Sequence, residues 1–212
     1  MPDMQIKEIS FGRSSREDQQ AEMEIGIRCF GDTYITPLAE RLRFQEKNKY
    51  TFHCLKVDQQ VVGYFSLFRF TPDLQDRLLC GTSIERDICP EDVLPFSQHE
   101  PFDIYVDVIV VDPALPLHLR NLYAGLLIMY YTELILQLAD DGYAIERIYA
   151  VTTTPEGANL TRRLGMQPME QKSQLPERLA WACNFKQEGY PIYRKLKERL
   201  ARYQSKFARQ DA

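Results

Sequence analysis

The chain has 212 residues, 44% hydrophobic and 26% charged, with a net charge of −4. That length holds one sizeable domain with a full core, and the balance excludes disorder and repeat arrays. Five scattered cysteines form no Cys-x-x-Cys pair and the three histidines form no ligand pair, so the reading is packed thiols and no metal. From residue 191 onward seven basic residues face two acidic ones, a local +5 that leaves −9 on the rest. An acidic body suits a cationic acceptor such as an amine. No basic segment followed by an apolar core opens the sequence, and the uncharged apolar run at 121–132 is too short to cross a bilayer. The expected location is the cytoplasm, with no membrane partner.

In chain order, residues 4–10 alternate as a first strand. Ser14-Ser15 caps a helix through Phe30, with Met23, Ile27, Phe30 and Tyr34 on one face. Thr36-Pro37 starts a second, short helix to about residue 47. Residues 50–57 and 61–71 flank Asp58-Gln59-Gln60 as an antiparallel hairpin. Residues 72–101 break the pattern: a stretch longer than about 12–15 residues without regular periodicity is usually functional or disordered. Its Leu78, Leu79, Ile84, Ile88, Val93, Leu94 and Phe96 predict an ordered lid. A strand from Phe102 runs through the β-branched Val106, Val108, Ile109, Val110 and Val111 to a stop at Asp112-Pro113. An apolar helix then opens at Leu117 and runs to about residue 139. Residues 145–151 form another strand, and Thr154-Pro155 starts a helix that ends at Leu164-Gly165-Met166. Residues 169–172 and 179–185 are closing strands. Residues 191–207 form a basic amphipathic helix with Ile192, Leu196, Leu200 and Tyr203 at helical spacing. This stripe predicts docking, on the chain's own body or on a second copy to make a homodimer. A docked, solvated helix is also the reading that argues against nucleic acid as its partner.

Two motifs stand out within this order. The first is Arg120-Asn121-Leu122-Tyr123-Ala124-Gly125 after the Phe102 strand. The second is Thr154-Pro155-Glu156-Gly157-Ala158-Asn159-Leu160-Thr161-Arg162-Arg163-Leu164-Gly165-Met166. Together they resemble the GNAT (N-acetyltransferase) superfamily, over roughly residues 4–185. The first is similar to its coenzyme A loop, Q/R-x-x-G-x-G/A, with Tyr123 in place of the first Gly. The second is similar to its N-x-x-A-x-x-L-Y-x-x-L-G-F pattern, with Thr161 in place of the Tyr. The implied fold is an α/β GNAT-like domain at 1–190: a mixed, mostly antiparallel sheet flanked by helices, with an inserted lid at 72–101 and a basic C-terminal helix at 191–212.

The resemblance implies acetyl-CoA or another acyl-CoA as co-substrate. Arg120, Asn121, Leu122, Tyr123, Ala124 and Gly125 would hold it, with Val110 and Thr154 beside them. Backbone N–H groups at such a loop face the pyrophosphate, with the helix dipole behind them. His118 reads as an exposed loop histidine. A general base must take a proton from the acceptor amine. Alternation places Asp103, Tyr105 and Asp107 on one face, opposite Ile104, Val106 and Val108. Asp107 is the base candidate, because an acid inside so apolar a strand needs a reason; a structural hydrogen-bonding carboxylate is the other account. Glu100, Glu85 and Asp87 stand in reserve. With Thr161 in the family's Tyr position, Tyr105, Tyr149 or water would protonate the departing thiolate. The function implied is N-acyl transfer, acetyl transfer first, to a small-molecule or protein amine. The alternatives are a long-chain N-acyl synthase fed by acyl carrier protein, and a catalytically inactive binding or regulatory module.

Overall fold

The computed structural model describes residues 8–170 and 173–207. Its elements are β1 (Ile9–Arg13), α1 (Arg16–Phe30), α2 (Leu38–Lys47), β2 (Phe52–Val57), β3 (Gln60–Phe68), α3 (Pro72–Cys80), β4 (Phe102–Val111), α4 (Leu117–Asp140), β5 (Ile145–Thr152), α5 (Pro155–Arg163), β6 (Gln167–Pro168), β7 (Leu179–Asn184) and α6 (Tyr190–Phe207). The strands make one seven-stranded sheet in the order β1-β2-β3-β4-β5-β7-β6. Every pair is antiparallel except β4 with β5.

Local chemistry accounts for most boundaries. Ser15 accepts from the Asp18 N–H while Asp18 accepts from the Ser15 N–H, a reciprocal cap that starts α1. Asp58 and Gln59 both take positive φ, which gives the tight β2–β3 turn a twist that suits antiparallel strands. Thr154 accepts from the Gly157 N–H to start α5. Gly165 closes the segment at φ +80°, and a Cβ there would lie 2.6 Å from Ile192 of α6. Two boundaries move from expectation. β1 pairs over 9–13, and residues 4–7 of the expected first strand lie outside the described residues. The expected strand at 169–172 reduces to Gln167–Pro168 plus a bond from the Met169 N–H to the Ala180 carbonyl, because the chain meets β7 directly after the Gly165 turn; residues 171–172 lie outside the description.

The sheet divides two layers of different character. On one side α4 and α6 pack against Phe65, Leu67, Ile104, Ile148 and Trp181, with Tyr123, Leu127, Tyr131 and Ile135 from α4. By length and composition α4 is apolar enough to cross a membrane, yet it lies against the sheet and is the central helix of this core. On the other side α1, α2 and the 72–101 insertion cover Phe52, Phe68, Tyr105 and Tyr149. The insertion is ordered: α3 ends at Gly81 with φ +73°, and Leu74, Leu78, Leu79, Ile88 and Val93 are buried.

α6 uses its apolar stripe on its own chain. Tyr193 is fully buried with its hydroxyl 2.7 Å from that of Tyr131, and Ile192 and Leu196 pack on the same core. The side chains of Leu200 and Tyr203, expected in the same stripe, lie outside the described residues. Tyr193→Ala is expected to cost about 3–5 kcal/mol, the scale of a buried aromatic lost to a cavity, read as a lower urea midpoint with unchanged slope.

Candidate active site

The β3–β4 ladder carries one extra residue on β4. Leu67 pairs with Val106 and Ser66 with Val108, so Asp107 has no partner of its own. Such a bulge bends and twists its strand. It also resets the alternation: Val106 faces the α4 core, whereas Val108 and Val110 face Cys54 and Tyr64 under α1. The expectation that Val108 lies opposite Asp107 is therefore corrected; the two share the α1 side. On its other edge β4 loses β5 at the same point. The last parallel pair is Val106 with Ala150, although β4 continues to Val111 and β5 to Thr152. The strands part at Asp107, and residues 107–111 are half-exposed. The N-termini of α4 and α5 both follow the open ends of this parallel pair, the place where α/β sheets bind ligands.

The residues expected to hold coenzyme A lie within the helix that opens at Leu117. Asp112 accepts from the Ala114 N–H with its side chain and from the Leu115 N–H with its carbonyl, and this turn delivers Pro116 as the residue before the helix. The Arg120 N–H already bonds to the Pro116 carbonyl at 2.9 Å. Arg120, Asn121, Leu122, Tyr123, Ala124 and Gly125 are thus helical, and the first-turn donors of α4 are the N–H groups of Leu117, His118 and Leu119. Tyr123 points into the main core. Arg120 is half-buried with an Nε that makes no hydrogen bond, and His118 is exposed one turn end earlier. Val110 lies on the parted stretch of β4, and Thr154 is spent on capping α5. Arg28 of α1 grips Asp112 through two bonds of 3.0 and 2.8 Å, which ties α1 to the start of α4.

Asp107 turns its carboxylate under the insertion. Its Oδ2 accepts from the Ser66 hydroxyl at 2.7 Å. Burial, reinforced by the nearby Glu85 charge, pushes its pKa up to about 6, where a carboxylate can act as a base near neutrality. Tyr105 has a different task from the proton donor expected of it. Its ring is buried, its hydroxyl donates to Glu85 Oε1 at 2.7 Å, and burial pushes its pKa well up. Glu85 also receives both terminal nitrogens of Arg178, at 2.9 and 2.7 Å. Burial alone would raise the Glu85 carboxyl, but Arg178 and Tyr105 hold it below the usual range. The insertion is therefore fastened to the sheet beside Asp107 by an ionic clamp. The reserve acids are engaged elsewhere: Glu100 with Arg69, and Asp87 with the Ile84 N–H. Asp103 is held by Arg147 and Gln75. Tyr149 is core under the insertion. Thr161 is buried and gives its hydroxyl to the Ala158 carbonyl. Cys183 is a core thiol that burial pushes up to about 11.

Ser66, Arg178, Arg41 and Tyr64 escaped the sequence reading. Ser66 alone had a visible signal, a hydroxyl inside the otherwise apolar run from Val61 to Phe68 apart from Gly63.

Neither a protein-family model nor a curated protein sequence matches the chain. Solved structures do. The loading GNATL domain of CurA from Lyngbya majuscula is similar at TM-score 0.58 and 13% identity, covering 84% of this chain and 98% of that domain. The GphF GNAT-like decarboxylase, solved with isobutyryl-CoA, is similar at 0.57 and 16%, covering 82% and 98%. FeeM, an N-acyl amino acid synthase from uncultured soil microbes, is similar at 0.52 and 12%, covering 86% and 92%. At such identities the likeness is one of fold, and the fold is GNAT-like.

The clamp generates a measurable expectation. Tyr105→Phe should cost about 1.5–3 kcal/mol, the scale of a hydrogen bond to a charged group, and protease cleavage within 72–101 should accelerate with it. A variant as stable and as resistant as the parent would show that the bond carries no weight.

Proposed function

We propose that this protein is an acyltransferase that moves an acyl group from coenzyme A to an amine by direct attack on the thioester. The observation that carries the reading is the parting of β4 from β5 at Asp107. In a GNAT-like sheet it leaves an unpaired strand edge beside a carboxylate whose pKa burial has raised toward neutrality. The fold neighbours support it in general terms: GphF was solved with an acyl-CoA, and FeeM is an N-acyl amino acid synthase.

The first turn of α4 suits the pyrophosphate. It presents the N–H groups of Leu117, His118 and Leu119 at the positive end of a 24-residue helix. Arg120 and His118 add donors beside them. The unpaired edge of β4 from Val108 to Val111 offers backbone groups along which the thioester arm can lie. The amine attacks the thioester carbonyl, Asp107 takes the proton that the nitrogen sheds, and the carbon–sulfur bond breaks. Ser66 holds one carboxylate oxygen and leaves Oδ1 to receive that proton. With Tyr105 committed to Glu85 and Thr161 to a backbone carbonyl, water protonates the departing thiolate. An acetyl group is the first choice of acyl group. A longer chain, on coenzyme A or a carrier protein, is the second reading, favoured by exposed Ile27 and Phe30 of α1 near the Arg28–Asp112 staple and exposed Leu117.

Acyl-CoA at about 100 times its dissociation constant should add about 2.7 kcal/mol of stability, a rise of several degrees in Tm; no rise with any acyl-CoA would leave a binding or regulatory module as the better reading. Asp107→Asn should lower turnover by about 10²- to 10⁴-fold with acyl-CoA affinity nearly intact, and Thr161→Ala should cost far less. Because the working form of Asp107 is the ionised one, kcat/KM should rise with pH through about 6. Asp107→Asn should remove that limb.

A further inference from the structure

Two arginines lie close enough to Asp107 to bear on its charge, and they spend their donors differently. Arg178 gives both terminal nitrogens to Glu85. Arg41 of α2 gives only Nη2 to Glu22 of α1, whose other oxygen takes the Ser14 hydroxyl. Arg41 Nε is buried with no hydrogen bond, and Nη1 makes none among the described residues. The guanidinium lies 4.1 Å from the centre of the Phe52 ring and 5.7 Å from that of Tyr64, in a side chain only 7% exposed. The Tyr64 hydroxyl also makes no hydrogen bond among the described residues. It reaches α1 where Gly26 leaves room; a Cβ at Gly26 would lie 2.9 Å from it. Asp107 Oδ1 is the third group with unused capacity. A guanidinium, a phenol and a carboxylate oxygen, from three elements, thus keep unused hydrogen-bonding capacity in one layer.

The sheet register sets their order. Phe52, Ser66 and the Asp107–Val108 bulge are successive cross-strand neighbours, and the Arg41 guanidinium lies over Phe52, so Arg41 and Asp107 stand toward the two ends of one row with the small Ser66 between them. A guanidinium at one end and a carboxylate at the other suit a ligand that carries both an anion and an amine, whereas the second nitrogen of a diamine would meet Arg41 with like charge.

We infer that the acceptor is a free amino acid, its amine at Asp107 and its carboxylate against Arg41 and the Tyr64 hydroxyl. The inference rests on the acyl-transfer reading of the same site and deepens it. Burial pushes the Glu22 carboxyl up to about 7, so Glu22 can take a proton as a second carboxylate arrives at Arg41.

The test uses the full chain with saturating acetyl-CoA, coenzyme A thiol release as the rate, and matched pairs of each amino acid with its C-terminal amide. The amides are expected to be poorer in kcat/KM by about 10- to 100-fold, the loss of a charged hydrogen bond. Arg41→Lys keeps a cation for Glu22 and removes the guanidinium donors. It should erase most of that discrimination while acyl-CoA still raises Tm as in the parent, and Tyr64→Phe should erase part of it. Acids and amides used equally well by the unsubstituted protein would overturn the inference and leave acyl transfer standing, a result that needs no variant to fold. Discrimination unchanged in both folded variants would overturn it too. If no amine turns over, calorimetric binding of the same pairs decides. Binding of acids but not amides supports the carboxylate subsite and sinks acetyl transfer; no binding of either overturns the subsite along with acetyl transfer.

Discussion

Between Val106 and Val108, β4 carries a residue with no partner on β3, and at the same point its other edge loses β5. A strand inside a sheet normally has both edges paired, since an unmet N–H or carbonyl costs about as much as a lost hydrogen bond. Here the extra residue forces β4 to bend, and the parallel ladder cannot follow it. The unpaired edge beyond Asp107 and the inward carboxylate go with that single insertion in the register, and the parallel pairing of β4 with β5 sets two helix N-termini at the same end. Nothing in the α4 layer changes: Ile104 and Val106 before the bulge, and Ile109 and Val111 after it, still face the same core.

The two layers divide the work. The α4–α6 side is closed by Trp181, Tyr131 and Tyr193 and holds the sheet rigid. The α1–α2 side contains Glu22 with Arg41, Glu85 with Arg178, and Asp107. Charges withdrawn from water cost several kcal/mol each, and their attraction rarely returns more than that. A hydrophobic layer would hold the same fold more cheaply. The concentration of half-satisfied charges beside the parted strands is the reason to look for chemistry on this face and not on the other.

The 72–101 insertion belongs to this polar layer. It is anchored by apolar residues of α3 and by Glu85, which meets Tyr105 from β4 and Arg178 from the segment before β7. Its carboxylate fastens the insertion and adds to the burial that raises the pKa of Asp107, so the insertion and Asp107 are coupled electrostatically.

Much of the frame was legible in the chain. The Ser15 cap, the Thr154 cap, the Gly165 helix end, the Asp58–Gln59 turn and the positions of β2 through β5 are local, because each depends on neighbours within a few residues. Asp107 also stood out locally, as an acid in an apolar strand. The environment of the motif residues did not. The helix opens at Leu117 as its sequence implies, which places Arg120–Gly125 inside it and sends Tyr123 into the core. Motif spacing does not register which side chains of a helix the sheet will cover. The bulge, the commitment of Tyr105 to Glu85 and the open donors of Arg41 were invisible for a deeper reason. Each is a relation between residues from 20 to more than 60 positions apart, decided by which strands pair and where the ladder slips. Sequence by itself determined the elements and the acid; tertiary structure decided what surrounds that acid, because register and burial are properties of the packed sheet.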